Sequence, residues 1–467
     1  MSDAAGITQS QAWPPVYDAR YRPRPAEPYW DRGRETMSAD ERASLILSKI
    51  QAVMRWAHKR APFYRRRWSE AGLEPGDIRS LDDFEQVPRI TKADLRVDQA
   101  EHPPYGSYLC IEPGEIAHIH GTSGTSGRPT AFAWPGDDMA RIAEAHARIM
   151  WSFGLRPSDT VFIGSIFSLY VGSWGTLLGT ERLGAAAFPF GAGVAGQTGQ
   201  AIQWMRQMRP TAFYGTPSYA LRLAEVARAE GIDPRSLGLR IMFFSGEPGA
   251  GIPSMKRLIE STFGAICIDS GSMGEVTPWM NIAECAQRTG MHLWQDLVYG
   301  EVLDPQTWRR TPDGSAGTPV YTTLERRSQP MIRLVSGDLA EWTDAPCACG
   351  RTYPRFPRGI IGRIDDMLTI RGENVYPSAI EDVLRGFAEL GTEFEIVVTR
   401  DNQLDDLRVR VETAPGGDAP SGLAERVTAS LRRVLGVRPS VELCKPDSLT
   451  RTDLKSRRVR DERHLSR

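Results

Sequence analysis

Between residues 115 and 345, short apolar runs alternate with helical stretches, and no other feature of the chain constrains its fold more. Val161–Ile166, Ala212–Tyr214, Ile241–Ser245 and Ala265–Asp269 are short and apolar, each with Gly, Ser or Asp at or near its carboxyl end. Helical stretches such as Tyr219–Glu230 and Pro253–Phe263 lie between them. Strands that end on small residues before helices predict an α/β sheet with a site at the strands' carboxyl ends. Upstream, Asp40 to Trp68 carries Leu45, Ile46, Ile50, Val53, Met54 and Ala57 at helical spacing, so residues 27–70 read as largely helical. Near Gly359–Arg363 the character changes. A helix (Pro377–Phe387), two strands (Glu393–Thr399, Leu407–Thr413), a helix (Gly422–Leu435) and a strand (Ser440–Cys444) make a compact α+β unit of about 100 residues. The expected division is a large α/β region with mixed sheets flanked by helices, residues 1–361, and a small α+β domain, residues 362–467.

Length agrees with one large and one small domain at roughly 150 residues per unit. The 57 basic and 58 acidic side chains cancel to a net charge of -1, which leaves no global field to attract nucleic acid or an anionic membrane. The tail 454–467 is basic, but nothing else supports nucleic-acid binding, and it reads as a solvated end. The uncharged run Thr160–Thr180 holds Gly164, Gly172, Gly175 and Gly179 and reads as a buried strand, a Gly-rich turn and a buried helix rather than a lipid-facing span. Residues 1–35 lack the continuous apolar core of a secretory signal. Six unevenly spaced cysteines make no disulfide framework, so the cytoplasm is the expected compartment.

Five stretches carry chemistry. The first is Thr122-Ser123-Gly124-Thr125-Ser126-Gly127-Arg128-Pro129-Thr130. Small residues let backbone N–H groups approach a phosphate closely, although by itself such a run is as readily a flexible loop. It is not a Walker sequence, since no Gly-Lys-Ser/Thr follows. The second pairs Ser245-Gly246-Glu247-Pro248 with Asp269-Ser270-Gly271-Ser272-Met273-Gly274-Glu275, both at strand ends, where a Glu could hold Mg²⁺ beside a nucleotide or stand exposed in a loop. The third is Ser336-Gly337-Asp338, a turn whose Asp can accept from vicinal ribose hydroxyls. The fourth, Gly362-Arg363-Ile364-Asp365-Asp366, falls on the domain junction, and the fifth surrounds Lys455.

Taken in order, these stretches resemble the adenylate-forming ligase superfamily, and within it the phenylacetate-CoA ligase-like branch. The resemblance starts at Tyr29-Trp30-Asp31, passes Ala61-Pro62-Phe63-Tyr64-Arg65 and Thr91-Lys92-Ala93-Asp94-Leu95-Arg96, and runs through all five. It implies an enzyme that joins a carboxylic acid to AMP from ATP, releases pyrophosphate, and passes the acyl group to the thiol of CoA. It also implies the roles. Thr122, Ser123, Gly124, Thr125, Ser126 and Gly127 would cradle the β- and γ-phosphates. Gly246, Glu247, Pro248, Asp269, Ser270 and Gly271 would line the nucleotide site. Glu275 would bind Mg²⁺, and Asp338 and Arg363 would hold the ribose. Asp365 would be the hinge of a mobile C-terminal domain, and Lys455 would reach the α-phosphate and carboxylate. An ammonium there offsets the repulsion between a carboxylate and a polyphosphate. Only six of the basic residues are Lys, and a planar guanidinium is a poor substitute at such a step. Three stretches depart from the pattern: Thr130 replaces a frequent Lys, Leu454 replaces a Gly, and Gly271-Ser272 replace the Tyr-Gly pair whose ring stacks on adenine. The last change is expected to vacate space for a larger acid.

Cys285, His292, Cys347 and Cys349 supply three thiols and an imidazole, enough for a tetrahedral structural zinc site, although the spacing is not that of a zinc finger and four ordinary residues are the alternative. Some members of the branch hold zinc at corresponding places. Family position also puts Phe167, Tyr170, Trp174, Tyr214, Gly215, Gly246 and Met273 near the acid. Aromatic residues around small ones suggest a flat aryl or arylacetic acid. An acceptor other than CoA (a carrier-protein thiol, an amine or a nitrite-type nucleophile) is the alternative. A homodimer is expected from the resemblance.

Overall fold

The computed structural model describes residues 13–122, 130–191, 196–247, 249–277, 280–364, 366–371, 373–401, 404–415, 419–450 and 458–463. Ser123–Pro129, Pro248, Asp365 and Lys455 lie outside the described residues.

The alternating region folds as expected, into an eight-stranded sheet. Its order is Arg355–Phe356, Met291–Leu293, Ile282–Glu284, Ile266–Gly271, Ile241–Phe244, Ala212–Gly215, Thr160–Ile163, Ala186–Phe188. The last five are parallel, and the first three add antiparallel to the edge. Helices Gly172–Leu183, Gln197–Met208, Pro217–Ala229 and Pro253–Phe263 make the crossovers that parallel strands require. The uncharged run is therefore a strand, a turn and a helix. A Cβ at Gly179 would stand 2.7 Å from His146 Cβ, so glycine lets this helix lie against Gly136–Ser152. Among the described residues no helix is long and apolar enough to cross a membrane.

A second sheet runs Val298–Leu303, Ala316–Thr323, Asp338–Glu341, Ile360–Arg363. A hairpin, Ile116–Thr122 with Thr130–Pro135, brings Thr122 opposite Thr130. The helical stretch expected over Asp40–Trp68 is present as two helices, Ala39–Arg60 and Pro62–Glu70. Pro62 disfavours helical geometry at Ala61, which is extended there, and itself starts the next helix at a position that needs no N–H. Ser38 and Glu41 form a capping box on the first of them.

Beyond residue 363, a hairpin (Leu368–Ile370, Glu373–Val375), a four-stranded sheet (Ser440–Cys444, Leu404–Thr413, Leu390–Asp401, Val459–Asp461) and two helices (Pro377–Arg385, Leu423–Leu435) enclose their own core. Ile380, Leu384, Ile396, Val409, Val427 and Leu431 pack there, separate from the clusters of the large region.

Candidate adenylate site and a cysteine–histidine cluster

The parallel strands end together, and the expected site residues gather around those ends. Strand Ala212–Gly215 places Tyr214, whose hydroxyl lies 2.8 Å from Ser245 Oγ just past the neighbouring strand. The Tyr170 hydroxyl joins both. A Cβ at Gly246 would stand 3.3 Å from that hydroxyl, and Gly246 has φ 94°, a conformation that favours glycine. Three hydroxyls thus meet in a buried setting beside a backbone stripped of side chain. Burial pushes the Tyr170 and Tyr214 phenols above their ordinary value, so both stay protonated. Phe167 and Trp174 meet edge to face, 5.4 Å between centroids, and Trp174 also touches His118 and His120 at 6.2 and 6.1 Å. These two histidines of the phosphate-loop hairpin were not among the expected site residues.

Glu247 accepts from the Ser218 amide at 2.7 Å, in the first turn of Pro217–Ala229, and burial raises its carboxyl. Asp269 is also raised, to about 7, by burial and then by Glu284, while Lys256 opposes the rise. Its Oδ2 is wedged between glycines: a Cβ at Gly251 would come within 2.5 Å and one at Gly359 within 2.9 Å. A Cβ at Gly271 would lie 3.0 Å from Ile282 Cδ1, across an antiparallel pair.

Glu275 is only 3% exposed. Its Oε1 lies 3.4 Å from Lys92 Nζ, and its Oε2 is buried without a hydrogen-bond partner among the described residues. An orphaned carboxylate oxygen of this kind fits a hard cation such as Mg²⁺. Its backbone carbonyl accepts from Arg326 Nη1 at 2.6 Å, and Arg326 in turn lies 3.7 Å over the Trp134 ring. A Cβ at Gly274 would stand 2.9 Å from Thr122 Cγ2, so the Glu275 turn abuts the start of the phosphate loop. Met273 is buried in the same turn. Lys92 and Arg326 were missed. The scarcity of lysine was a usable signal for the first, whereas Arg326 reaches Glu275 across 51 residues. Asp338 and Arg363, expected together, face each other in register on adjacent strands.

The four metal-ligand candidates also converge. Cys285, His292, Cys347 and Cys349 offer ligand atoms that all lie within 4.8 Å of one another. Cys285 Sγ is 3.8 Å from Cys347 Sγ, and Cys349 Sγ is 3.4 Å from His292 Nε2. The first distance is too long for a disulfide. It matches the edge of about 3.8 Å that a tetrahedron with Zn–S bonds near 2.3 Å would have. His292 Nδ1 pairs with the Tyr353 carbonyl at 3.2 Å, which turns Nε2 toward the thiols. The cluster clips together the three antiparallel strands at the sheet's edge.

Comparison with known proteins agrees with this geometry. The AMP-binding enzyme C-terminal domain family matches residues 372–463. The phenylacetate-coenzyme A ligase of Thermus thermophilus is 32% identical over 446 residues, 91% of this chain and 98% of that protein. A 2-hydroxyisobutyryl-CoA ligase, solved in the postadenylation state with R3-HIB-AMP, is 52% identical. It covers 99% of this chain and 98% of its own at a TM-score of 0.94. The same enzyme with 2-HIB-AMP and CoA in the thioesterification state, again 52% identical over 98% of this chain and 97% of its own, gives 0.76. On these likenesses the chain belongs to the adenylate-forming superfamily of AMP-forming acid–thiol ligases, in its phenylacetate-CoA ligase branch.

Proposed function

We propose that this ligase activates a short, hydroxyl-bearing carboxylic acid as its adenylate and transfers it to CoA. The carrying observation is the cluster of Tyr170, Tyr214 and Ser245 hydroxyls beside Gly246. The three hydroxyls already bond one another, and a substrate hydroxyl could join that cluster, a contact that an apolar group could not make. Sites of this kind discriminate strongly against analogues lacking the polar group. The 52% identity to an enzyme named for 2-hydroxyisobutyrate supports the same reading. An aryl or arylacetic acid is the second reading. It is favoured by the rings of Phe167 and Trp174 and by the relatives named for phenylacetate.

In this reading Asp338 and Arg363 hold the ribose, Thr122 to Gly127 hold the phosphates, and Lys455 bridges the α-phosphate and the acid. Mg²⁺ at Glu275 would shield the phosphate charge; Arg326 keeps the Glu275 backbone in place, and Lys92 screens its carboxylate. Residues 362–467 turn about Asp365 between the two steps. The four-ligand cluster holds zinc with no open position and so serves structure. A cytoplasmic homodimer is the assembly we expect; light scattering of the purified chain measures it.

ATP–pyrophosphate exchange tests the substrate. With 2-hydroxyisobutyrate, isobutyrate, phenylacetate and benzoate compared, the hydroxy acid should lead isobutyrate by at least tenfold. Phenylacetate in the lead would select the second reading, and equal rates for 2-hydroxyisobutyrate and isobutyrate would discard the hydroxyl argument. Enzyme-dependent consumption of acyl-adenylate with CoA, but not with nitrite alone, would identify the acceptor.

A further inference from the structure

The helix Pro253–Phe263 of the large region packs against the helix Pro377–Arg385 of the C-terminal unit. On its own side the first of these helices is poorly capped. Its N-cap is Ile252, whose side chain accepts no hydrogen bond, and its first turn holds no acid. The N–H groups that open a helix need acceptors from outside it. Here one comes from the other part of the chain. Asp382 Oδ1 accepts from the Ser254 amide at 3.2 Å and from the Ser254 hydroxyl at 2.6 Å. Ser254 is 5% exposed, so little water reaches it as a substitute. The carboxylate also meets the positive end of the helix dipole. A second bond crosses nearby, from the Thr392 hydroxyl to the Glu225 carboxylate.

These bonds belong to one arrangement of the two parts. The chain superposes at a TM-score of 0.94 on its relative in the postadenylation state and at 0.76 on the same relative, almost equally covered, in the thioesterification state. The C-terminal unit has a core of its own and can be displaced without being unpacked. We propose that Asp382 is a positioning residue: it lends a helix cap across the junction, holds the C-terminal unit in the adenylate-forming arrangement, and lets go before the thioester step. This rests on the two-step reading given above. A single cap shifts an equilibrium by about fivefold. That is enough to favour one arrangement without preventing the other.

The two half reactions, measured separately, test it. ATP–pyrophosphate exchange reports the first, and CoA-thioester formation from supplied acyl-adenylate reports the second. Asp382→Ala should slow exchange roughly three- to tenfold, the scale of a lost cap, and leave the thioester step unchanged or faster. Ser254→Ala keeps the amide bond and should show a smaller loss of the same sign. Asp382→Asn, which still accepts, should fall between wild type and Asp382→Ala. Equal losses in both half reactions would mark a purely structural residue and overturn the proposal, as would no loss in either. A second arm needs no turnover. The pair Ser254→Cys and Asp382→Cys should be joined by a short thiol-reactive bismaleimide, each thiol adding to one maleimide, giving a shifted band on a denaturing gel. The linked chain should still exchange pyrophosphate and fail to make thioester; thioester formation at the unlinked rate overturns the proposal. If the wild-type chain shows neither half reaction with any acid, the functional reading fails. The gel then decides the contact alone: cross-linking supports it and its absence overturns it.

Discussion

The cysteine–histidine cluster and the Glu275 turn are two places suited to a divalent cation, and they are built on opposite plans. In the cluster, three thiols and an imidazole come from the end of one edge strand, the middle of the next and the loop before the third, and their ligand atoms all lie within 4.8 Å of one another. Nothing remains for a substrate to supply. At Glu275 the protein offers one hard carboxylate, half satisfied by Lys92 and half orphaned. The remaining ligands of a cation there must come from nucleotide and water. A closed site spends its binding energy on the fold, whereas an open one keeps it for the reacting phosphates.

The sharpest test of this contrast lies on the reactive side. Lys455→Ala should reduce pyrophosphate exchange by roughly a hundredfold or more while leaving the melting temperature in place, because the ammonium acts only on developing charge. Lys455→Arg should rescue little. Unchanged exchange in Lys455→Ala would remove the lysine from the mechanism.

The cluster should answer in the opposite way. Purified protein should carry one zinc per chain by metal analysis, and Cys347→Ala should lose it. A ligand present at a thousandfold excess over its Kd stabilises by about 4 kcal/mol, so the variant should melt well below wild type. Exchange at 25 °C should change by no more than about twofold, because the cluster supplies no reacting group. A zinc-free wild-type protein would break the comparison outright.

Glu275→Gln should raise the Mg²⁺ concentration for half-maximal exchange by about ten- to a hundredfold, on the scale of losses seen when metal sites are perturbed. The melting temperature without nucleotide should hold or rise, since the change removes a buried charge whose second oxygen has no partner. A marked fall would mean that the Lys92 pair is structural after all.

An effect confined to stability, with no change in exchange to accompany it, should come from Asp269, whose folded carboxyl is pushed up to about 7 by burial against about 4 in an unfolded chain. Between those values the folded state binds the extra proton, so Asp269 makes stability fall as pH rises from about 4 to about 7 and has no further effect above that. Asp269→Asn should flatten that part of the melting-temperature profile. An unaltered profile would show that the carboxylate is charged despite its burial.

Much of this was legible in the sequence because it is local. The runs ending in Gly, Ser or Asp predicted the parallel strands, and the Gly-rich run Thr160–Thr180 predicted a strand and helix rather than a membrane span. Asp338 and Arg363 were expected together and lie opposite each other. The Cys and His spacing alone left two readings open, and resemblance favoured the right neighbourhood for all four. The helical stretch over Asp40–Trp68 is interrupted for an equally local reason, the proline at 62. What stands against Gly271 is non-local, since Ile282 arrives from the antiparallel neighbour.

By itself the sequence determined the elements, their alternation, and the family's order of reactive residues, because propensity, small-residue turns and motif spacing act over a few positions. Only the tertiary structure decided which groups meet. Lys92 comes to Glu275, Arg326 supports it from behind, three hydroxyls from separate segments converge on Gly246, and Asp382 caps a helix of the other part. The physical reason is that hydrogen bonds and ion pairs depend on angstroms in space. Residues brought together across tens to hundreds of positions leave no periodic trace in the chain.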